Sequence, residues 1–176
     1  MKHTVSDKKR LRRLATAGVL TAVAMILSWV EFLLPFSIGI PGVKLGLCHI
    51  VTLFALYALS AWEAVAVTAV RIFLTAALFG NAASLAYSVA GGVLSLSVML
   101  LLRRLGWRDR PVFSPIGVSI AGAVAHNLGQ LCAAALILQT VGVLSYLPVL
   151  LVAGIFTGAI IGAVSGAVWT RLWKKS

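Results

Sequence analysis

Six long apolar stretches, separated by short connections, constrain this chain more than any other feature of its sequence. Most are close to the roughly 20 residues that a helix needs to cross about 30 Å of hydrocarbon. The stretches are Leu14–Leu34, Leu45–Leu59, Trp62–Phe79, Ala83–Leu102, Ile116–Leu138 and Tyr146–Trp169. Because lipid offers no partner to an unpaired backbone group, each stretch is expected to be helical. The sequence therefore predicts an all-α membrane protein with six transmembrane helices, the second of them short.

The distribution of positive charge predicts the orientation of these helices. Hydrophobic residues make up 61% of the chain and charged residues only 11%, whereas about 25% are charged in an ordinary soluble domain. Thirteen of the 15 Lys and Arg residues lie in three clusters at the ends of apolar stretches: Lys2, Lys8, Lys9, Arg10, Arg12 and Arg13; Arg103, Arg104, Arg108 and Arg110; Arg171, Lys174 and Lys175. Basic clusters of this kind mark cytoplasmic loops rather than nucleic-acid surfaces.

The expected organisation follows from this charge pattern. Six spans put all three basic clusters, and both termini, on the cytoplasmic side of the cell membrane. Residues 1–13 form a basic N-terminal segment, 14–172 a single transmembrane domain, and 173–176 a basic tail. The connection Pro35–Lys44 has two prolines and two glycines, yet it is mostly apolar. It is interpreted either as an interfacial connector or as a cap over an outward-facing site.

Polar side chains inside the spans are the candidate functional residues, because each is costly in lipid and tends to face a cavity. Arg71 and His126 are both expected about 15 Å into their spans, near the middle of the membrane. We predict an outward-open cavity for a small-molecule substrate, floored near these two residues. Its candidate residues are Glu31, Lys44, His49, Arg71, Asn81, Tyr87, His126, Asn127 and Gln130. The alternative is structural: Arg71 pairs with Glu31 or with carbonyls, and His126 and Asn127 bond between helices.

Small residues at four-residue spacing predict close helix packing. Gly154, Gly158, Gly162 and Gly166 share one face of the last span. Either another helix of this chain or another subunit packs in that groove. A shorter pattern in the first span, Gly18 and Ala22, is a second candidate for subunit docking.

Signatures of catalysis are missing from the sequence. There is no Walker motif, no H-E-x-x-H motif and no metal-ligand cluster, and Cys48 and Cys132 lie in apolar stretches without a C-x-x-C spacing. Prenyl diphosphate synthesis ordinarily needs clustered aspartates to hold magnesium, but Asp7 and Asp109 are the only aspartates and lie far apart. The chain is therefore predicted to be neither an enzyme nor a holder of a metal or cofactor.

Several segments resemble one bacterial family over nearly the full length of the chain. They are Pro41–Leu53, Arg71 in the third span, Tyr87–Ser95 and Gly117–Gln130. This family is labelled both "Gx transporter" and "heptaprenyl diphosphate synthase component I". It is similar in size and topology to the S components of energy-coupling factor (ECF) transporters. His49 stands where the family pattern has asparagine.

The resemblance implies a membrane subunit that captures a vitamin-like or cofactor-like solute from outside. Uptake in that class needs a transmembrane T component and two ATPases, and docking commonly uses an Ala-x-x-x-Ala pattern, to which Gly18-x-x-x-Ala22 is the nearest match. The family's other label implies a noncatalytic membrane subunit that assists polyprenyl diphosphate synthesis. A membrane scaffold for a redox or quinone assembly is a third reading.

Overall fold

A computed structural model describes residues 2–33, 46–106 and 113–172 of the chain. Across these residues the chain is helical. The elements are α1 (Lys2–Leu33), α2 (His49–Ala58), α3 (Ala61–Phe79), α4 (Ala82–Gly106), α5 (Pro115–Leu138), a 3₁₀ helix (Val141–Tyr146) and α6 (Leu147–Leu172). The predicted all-α fold is therefore confirmed for the described part of the chain.

Five of the six α-helices, all except α2, are long and apolar enough to cross a membrane. Helix α2 has 10 residues and rises about 15 Å, half the thickness of the hydrocarbon core. It begins at His49 rather than at Leu45, where the sequence predicts the second span to begin. Residues 34–45, including the predicted cap and Lys44, lie outside the described residues. The six-span count and the side of each terminus therefore stay predictions.

Local capping signals explain where α3 and α5 begin. The Ser60 side chain accepts a hydrogen bond from the Glu63 amide, and the Glu63 carboxylate accepts one from the Ser60 amide, at 3.3 and 2.8 Å. Such a capping box satisfies two amides that the helix cannot bond itself. Ser114 caps α5 in a similar way, and Pro115 takes the first helical position, where no amide hydrogen is needed.

Contacts between helix ends define one end of the bundle, called here the basic end. Arg13 of α1 lies 3.9 Å from the Glu63 carboxylate at the start of α3. Arg103, near the end of α4, donates to the backbone carbonyl of Leu56, near the end of α2. At the opposite end, the rings of Phe32 and Phe79 lie 6.4 Å apart. Helices α1 and α3 therefore run parallel, and α2 descends from mid-depth to the basic end.

Two apolar clusters bracket the middle of the bundle. The first lies towards the basic end and includes Leu53, Leu56, Met99, Val118 and Ile161. The second lies towards the opposite end and includes Tyr87, Leu131, Ala134, Val143 and Leu150. In α4 and α5 the residues between these clusters are partly polar. The arrangement sets polar side chains between two apolar layers, at the level where α2 begins.

Candidate functional site: a buried polar centre

Polar side chains of α2 to α5 meet at this level, and Glu31, near the end of α1, bonds to the turn before α2; we call this group the polar centre. Its members are Glu31, Cys48, His49, Arg71, Ser95 and His126. Each is at most 8% exposed. Arg71 is the eleventh of the 19 residues of α3, and His126 is the twelfth of the 24 residues of α5. The sequence-based depth of both residues thus agrees with their place in the middle of their helices.

A pair of imidazoles lies at the core of the polar centre. His49, the first residue of α2, shares a hydrogen bond between Nε2 and the Ser95 hydroxyl of α4. The rings of His49 and His126 lie 4.7 Å apart, inclined by 57°. Three helices are thereby joined through side chains that are 0–3% exposed. The predicted candidates His49 and His126, from different apolar stretches, are direct neighbours.

Gly46 connects α1 to the start of α2. Its amide donates to the Glu31 carboxylate, and its φ of +85° is one that side-chain-bearing residues rarely adopt. A Cβ atom there would lie 3.5 Å from Cδ2 of His126. Glycine therefore allows the turn before α2 to lie against the imidazole pair while its amide reaches Glu31.

Arg71 reaches the same turn from α3. Its Nη1 donates to Sγ of Cys48 at 2.8 Å, and the side chain is 5% exposed. Nε and Nη2 have no hydrogen-bond partner among the described residues. No carboxylate of the described residues lies within ion-pair distance of this guanidinium. The Arg71–Glu31 pair that the sequence left open is thus absent from the described contacts.

Asn127 and Gln130 continue the polar face of α5 beyond His126. Asn127 is 2% exposed and donates from Nδ2 to the Leu150 carbonyl of α6 at 2.8 Å. Gln130 is fully buried, and its Cγ would lie 2.9 Å from a Cβ placed on Gly91. Asn127 therefore forms an interhelical hydrogen bond, in line with the structural alternative. Gln130 lies beside Gly91 of α4, in the contact between α4 and α5.

Two other predicted site residues have separate local roles. Asn81 is exposed and caps α4: its Oδ1 accepts from the Ser84 amide at 2.8 Å. Tyr87 is 2% exposed and belongs to the apolar cluster with Leu131 and Val143. The structure therefore gathers part of the predicted set in the polar centre and puts Asn81 and Tyr87 elsewhere.

Sequence reasoning missed the polar residues beside Arg71. The sequence showed Cys48 only as a cysteine of an apolar stretch without a C-x-x-C spacing, yet it is the hydrogen-bond partner of Arg71. Thr68 and Thr75 flank Arg71 on the same buried face of α3. Their spacing of three and four residues from Arg71 is the signal that could have found them, because such residues share a helix face.

Glycines of α6 lie against α5. A Cβ on Gly158 would be 2.6 Å from Cα of Ile120, and one on Gly162 would be 2.6 Å from Cα of Ile116. Gly154 lies against Asn127 and Val124 in the same way, at 3.0 Å or more. At Gly166, by contrast, a Cβ would meet nothing within 4 Å. Gly154, Gly158 and Gly162 therefore pack closely against α5 of the same chain.

The small-residue pattern in α1, formed by Gly18 and Ala22, faces the outside of the bundle. Gly18 and Ala22 are both exposed, and a Cβ on Gly18 would meet nothing within 4 Å. An apolar pocket of about 260 Å³ lies further along the bundle, between α1, α2 and α6. Its lining residues are Leu20, Val23, Ile50, Val51, Phe54, Val164 and Ser165. Within the described ranges, no group of three His, Cys, Asp or Glu side chains could hold a metal ion.

Comparison with protein families decides the family of this chain. The model of the family described as "heptaprenyl diphosphate synthase component I" matches residues 20–168. The chain belongs to this family. The match includes every described residue of the polar centre and the glycines of α6, and it confirms the family resemblance noted in the sequence. Searches of curated proteins and of solved structures found no match.

Proposed function

We propose that the protein is the substrate-capturing membrane subunit of an ECF-type uptake transporter for a small vitamin-like or cofactor-like solute. The observation that carries this proposal is the polar centre, in which buried polar side chains of α2, α3, α4 and α5 lie together at mid-depth and Glu31 of α1 bonds to the turn before α2. Ionisable residues at that depth are expensive, and in membrane proteins they mark substrate or ion pathways. A packed bundle of this size needs none of them.

The shortness of α2 supports the same function. Solute sites of transporters commonly lie near the bilayer midplane, where a discontinuous helix begins or ends. Helix α2 begins at His49, beside Ser95 and His126, and it spans only about 15 Å. Irregular backbone at such a depth is tolerated where protein or a cavity surrounds it. The turn of Gly46 and Cys48 meets that requirement, since both residues are buried.

An uptake function of this class needs partners. The sequence holds no Walker motif, so ATP hydrolysis would be supplied by two ATPases acting through a T component. The exposed face of Gly18 and Ala22 supports a docking role for α1, because small residues let another helix backbone approach closely.

A second function is favoured by the family description and by the apolar pocket. The chain would then be a noncatalytic membrane subunit in polyprenyl diphosphate synthesis, with catalysis on a partner. The pocket of about 260 Å³ between α1, α2 and α6 is lined almost entirely by apolar atoms, which suits an isoprenoid chain. Clustered aspartates for magnesium are absent from the sequence, so this role would be auxiliary.

Mass spectrometry of the gently purified protein separates the two functions. Capture of a solute predicts a small polar molecule bound to the wild-type protein. We expect that molecule to be lost from His126→Ala, which opens the polar centre, and kept by Ser97→Ala, because Ser97 is an exposed residue of α4. A bound polyprenyl lipid, or a soluble synthase purified with the protein, would replace the first function with the second.

A further inference from the structure

The guanidinium of Arg71 leaves one edge unused. Arginine presents five N–H donors in a rigid plane, and the Nε and Nη2 hydrogens point along the same edge. Nη1, on the other side, donates to Sγ of Cys48 at 2.8 Å. Nε and Nη2 are buried and have no hydrogen-bond partner among the described residues. That edge can bind the two oxygens of a carboxylate or phosphate in a bidentate manner.

The charge around this edge is also unbalanced. The sequence has four acidic residues, and of the three in the described ranges only Glu31 bonds to the turn beside the polar centre. Its carboxylate accepts a hydrogen bond from the Gly46 amide and lies beyond ion-pair distance of Arg71. Glu63 lies in the first turn of α3, beside Arg13. Residues 34–45 contain no acidic side chain, and among the described residues no carboxylate lies within ion-pair distance of this cation.

The start of α2 increases the excess of positive potential. The N-terminus of a helix carries a partial positive charge, and α2 begins one residue after Cys48. Its first amides are already used: His49 donates to the Gly46 carbonyl at 2.9 Å and Val51 to the Cys48 carbonyl at 3.1 Å. The helix therefore contributes potential rather than free donors. It also holds the Cys48 thiol that fixes the orientation of the guanidinium.

We propose that the captured solute carries a carboxylate or a phosphate group, and that this group binds to the Nε and Nη2 edge of Arg71. The inference rests on the proposed function and adds the substrate class to it. The bound oxyanion supplies the negative charge that the described residues do not place beside Arg71, and it satisfies the two buried donors at once. Cys48 acts as a positioning residue, because its bond to Nη1 turns the other edge of the guanidinium towards the ligand.

Thermal unfolding in the presence of simple anions tests the proposal. The full-length protein is placed in nanodiscs of uncharged phosphatidylcholine, and its Tm is followed against sodium acetate or inorganic phosphate at constant ionic strength with chloride. A ligand of the folded state raises the Tm in a saturable way. We expect at least one of the two anions to do so. The anion that acts at lower concentration identifies the group as carboxylate or phosphate.

Matched variants locate the effect. Arg103→Gln removes an arginine at the basic end and should keep the saturable rise, whereas Arg71→Gln should abolish it. Arg71→Lys keeps the charge but lacks the two-nitrogen edge, so its half-saturation should rise about tenfold or more. If Arg71→Gln does not fold, Arg71→Lys decides the matter alone. An unchanged half-saturation in either Arg71 variant, or no saturable rise in the wild type, overturns the proposal.

The proposed function can fail separately. A small neutral solute that co-purifies with the wild type, and stays bound in Arg71→Gln, overturns the anionic class but leaves solute capture in place. A co-purified polyprenyl lipid, in a protein that shows no response to acetate or phosphate, overturns both.

Discussion

Arginines in two regions of this molecule have different surroundings. At the basic end, Arg13 lies beside the Glu63 carboxylate, and Arg103 donates to a backbone carbonyl at the end of α2. In the polar centre, Arg71 has a thiol as its hydrogen-bond partner and no carboxylate of the described residues within ion-pair distance. The side chain of Arg13 is 55% exposed, whereas Arg71 is 5% exposed.

The two regions therefore differ in the free-energy cost of placing an arginine there. Cations at a helix end are compatible with the membrane surface, where water and headgroups solvate them. A buried cation without a paired charge is strongly destabilising unless something compensates for it. The basic end is therefore explained by topology and local bonding, while the polar centre calls for a functional explanation.

The largest effect is expected on solute binding. Arg71→Ala and His126→Ala should each weaken binding of the co-purified solute by about tenfold to a hundredfold, because hydrogen bonds to charged groups contribute about 1.5–3 kcal/mol. Arg103→Ala at the basic end should change the affinity less than about twofold, in keeping with a role in topology rather than binding. Isothermal titration calorimetry on the ligand-depleted protein measures all three. An equal loss of solute affinity in Arg103→Ala would contradict the proposed difference between the basic end and the polar centre.

Glycine substitutions in the two regions should differ in their effect on the free energy of unfolding, and this effect should be smaller than that on solute binding. A Cβ on Gly91 would lie 2.8 Å from both Nδ1 and the carbonyl oxygen of His126, whereas one on Gly117, near the basic end, would meet only the Ser114 hydroxyl at 3.6 Å. Gly91→Ala should therefore lower the free energy of unfolding by about 1–3 kcal/mol through overpacking. Gly117→Ala should be neutral or stabilising, because alanine favours helix by about 1 kcal/mol. Unfolding in SDS measures both, and a tolerated Gly91→Ala would show that α4 and α5 are less closely packed.

The helix cap at the basic end should contribute a moderate amount. Ser60→Ala removes the hydroxyl that accepts a hydrogen bond from the Glu63 amide. Loss of such a cap costs about 1 kcal/mol. The same unfolding assay should show this decrease with no change in solute affinity. A loss of affinity would mean that the basic end and the polar centre are coupled.

The smallest effect is expected at the ion pair of the basic end. Arg13→Ala removes a pair separated by 3.9 Å whose side chains are 55% and 27% exposed. Exposed pairs of this kind contribute about 0.5 kcal/mol or less. The change in unfolding free energy should lie within that limit and shrink further at high salt. A loss above 1 kcal/mol would indicate that this pair is not solvent-screened.

Hydrophobic runs were sufficient to predict the helices, because lipid permits few alternatives to them. They also gave the mid-depth of Arg71 and His126, since helical rise converts position in a span directly into depth. The short length of α2 was harder to predict from the sequence. The apolar run begins at Leu45, before the helix does, and hydropathy alone does not report that Gly46 turns at positive φ.

Neighbours within the polar centre were harder to predict than depth. Asn81 and Tyr87 lie towards the same end of α4 in the sequence, but one caps the helix and the other packs in an apolar cluster. Which way a side chain faces depends on the rotation of its helix against its neighbours, and in α4 the polar face is weakly marked. By contrast, the close packing of α6 was visible in the sequence, because the spacing of Gly154, Gly158 and Gly162 itself defines a face.

An experimental structure of the protein, purified gently enough to keep its ligand, tests the central claim most directly. The account predicts density for a carboxylate or phosphate group within hydrogen-bond distance of Nε and Nη2 of Arg71, with Nη1 still bonded to Cys48. Density that instead shows the Glu31 carboxylate or backbone carbonyls on that edge, and no bound molecule between α3 and α5, would contradict it.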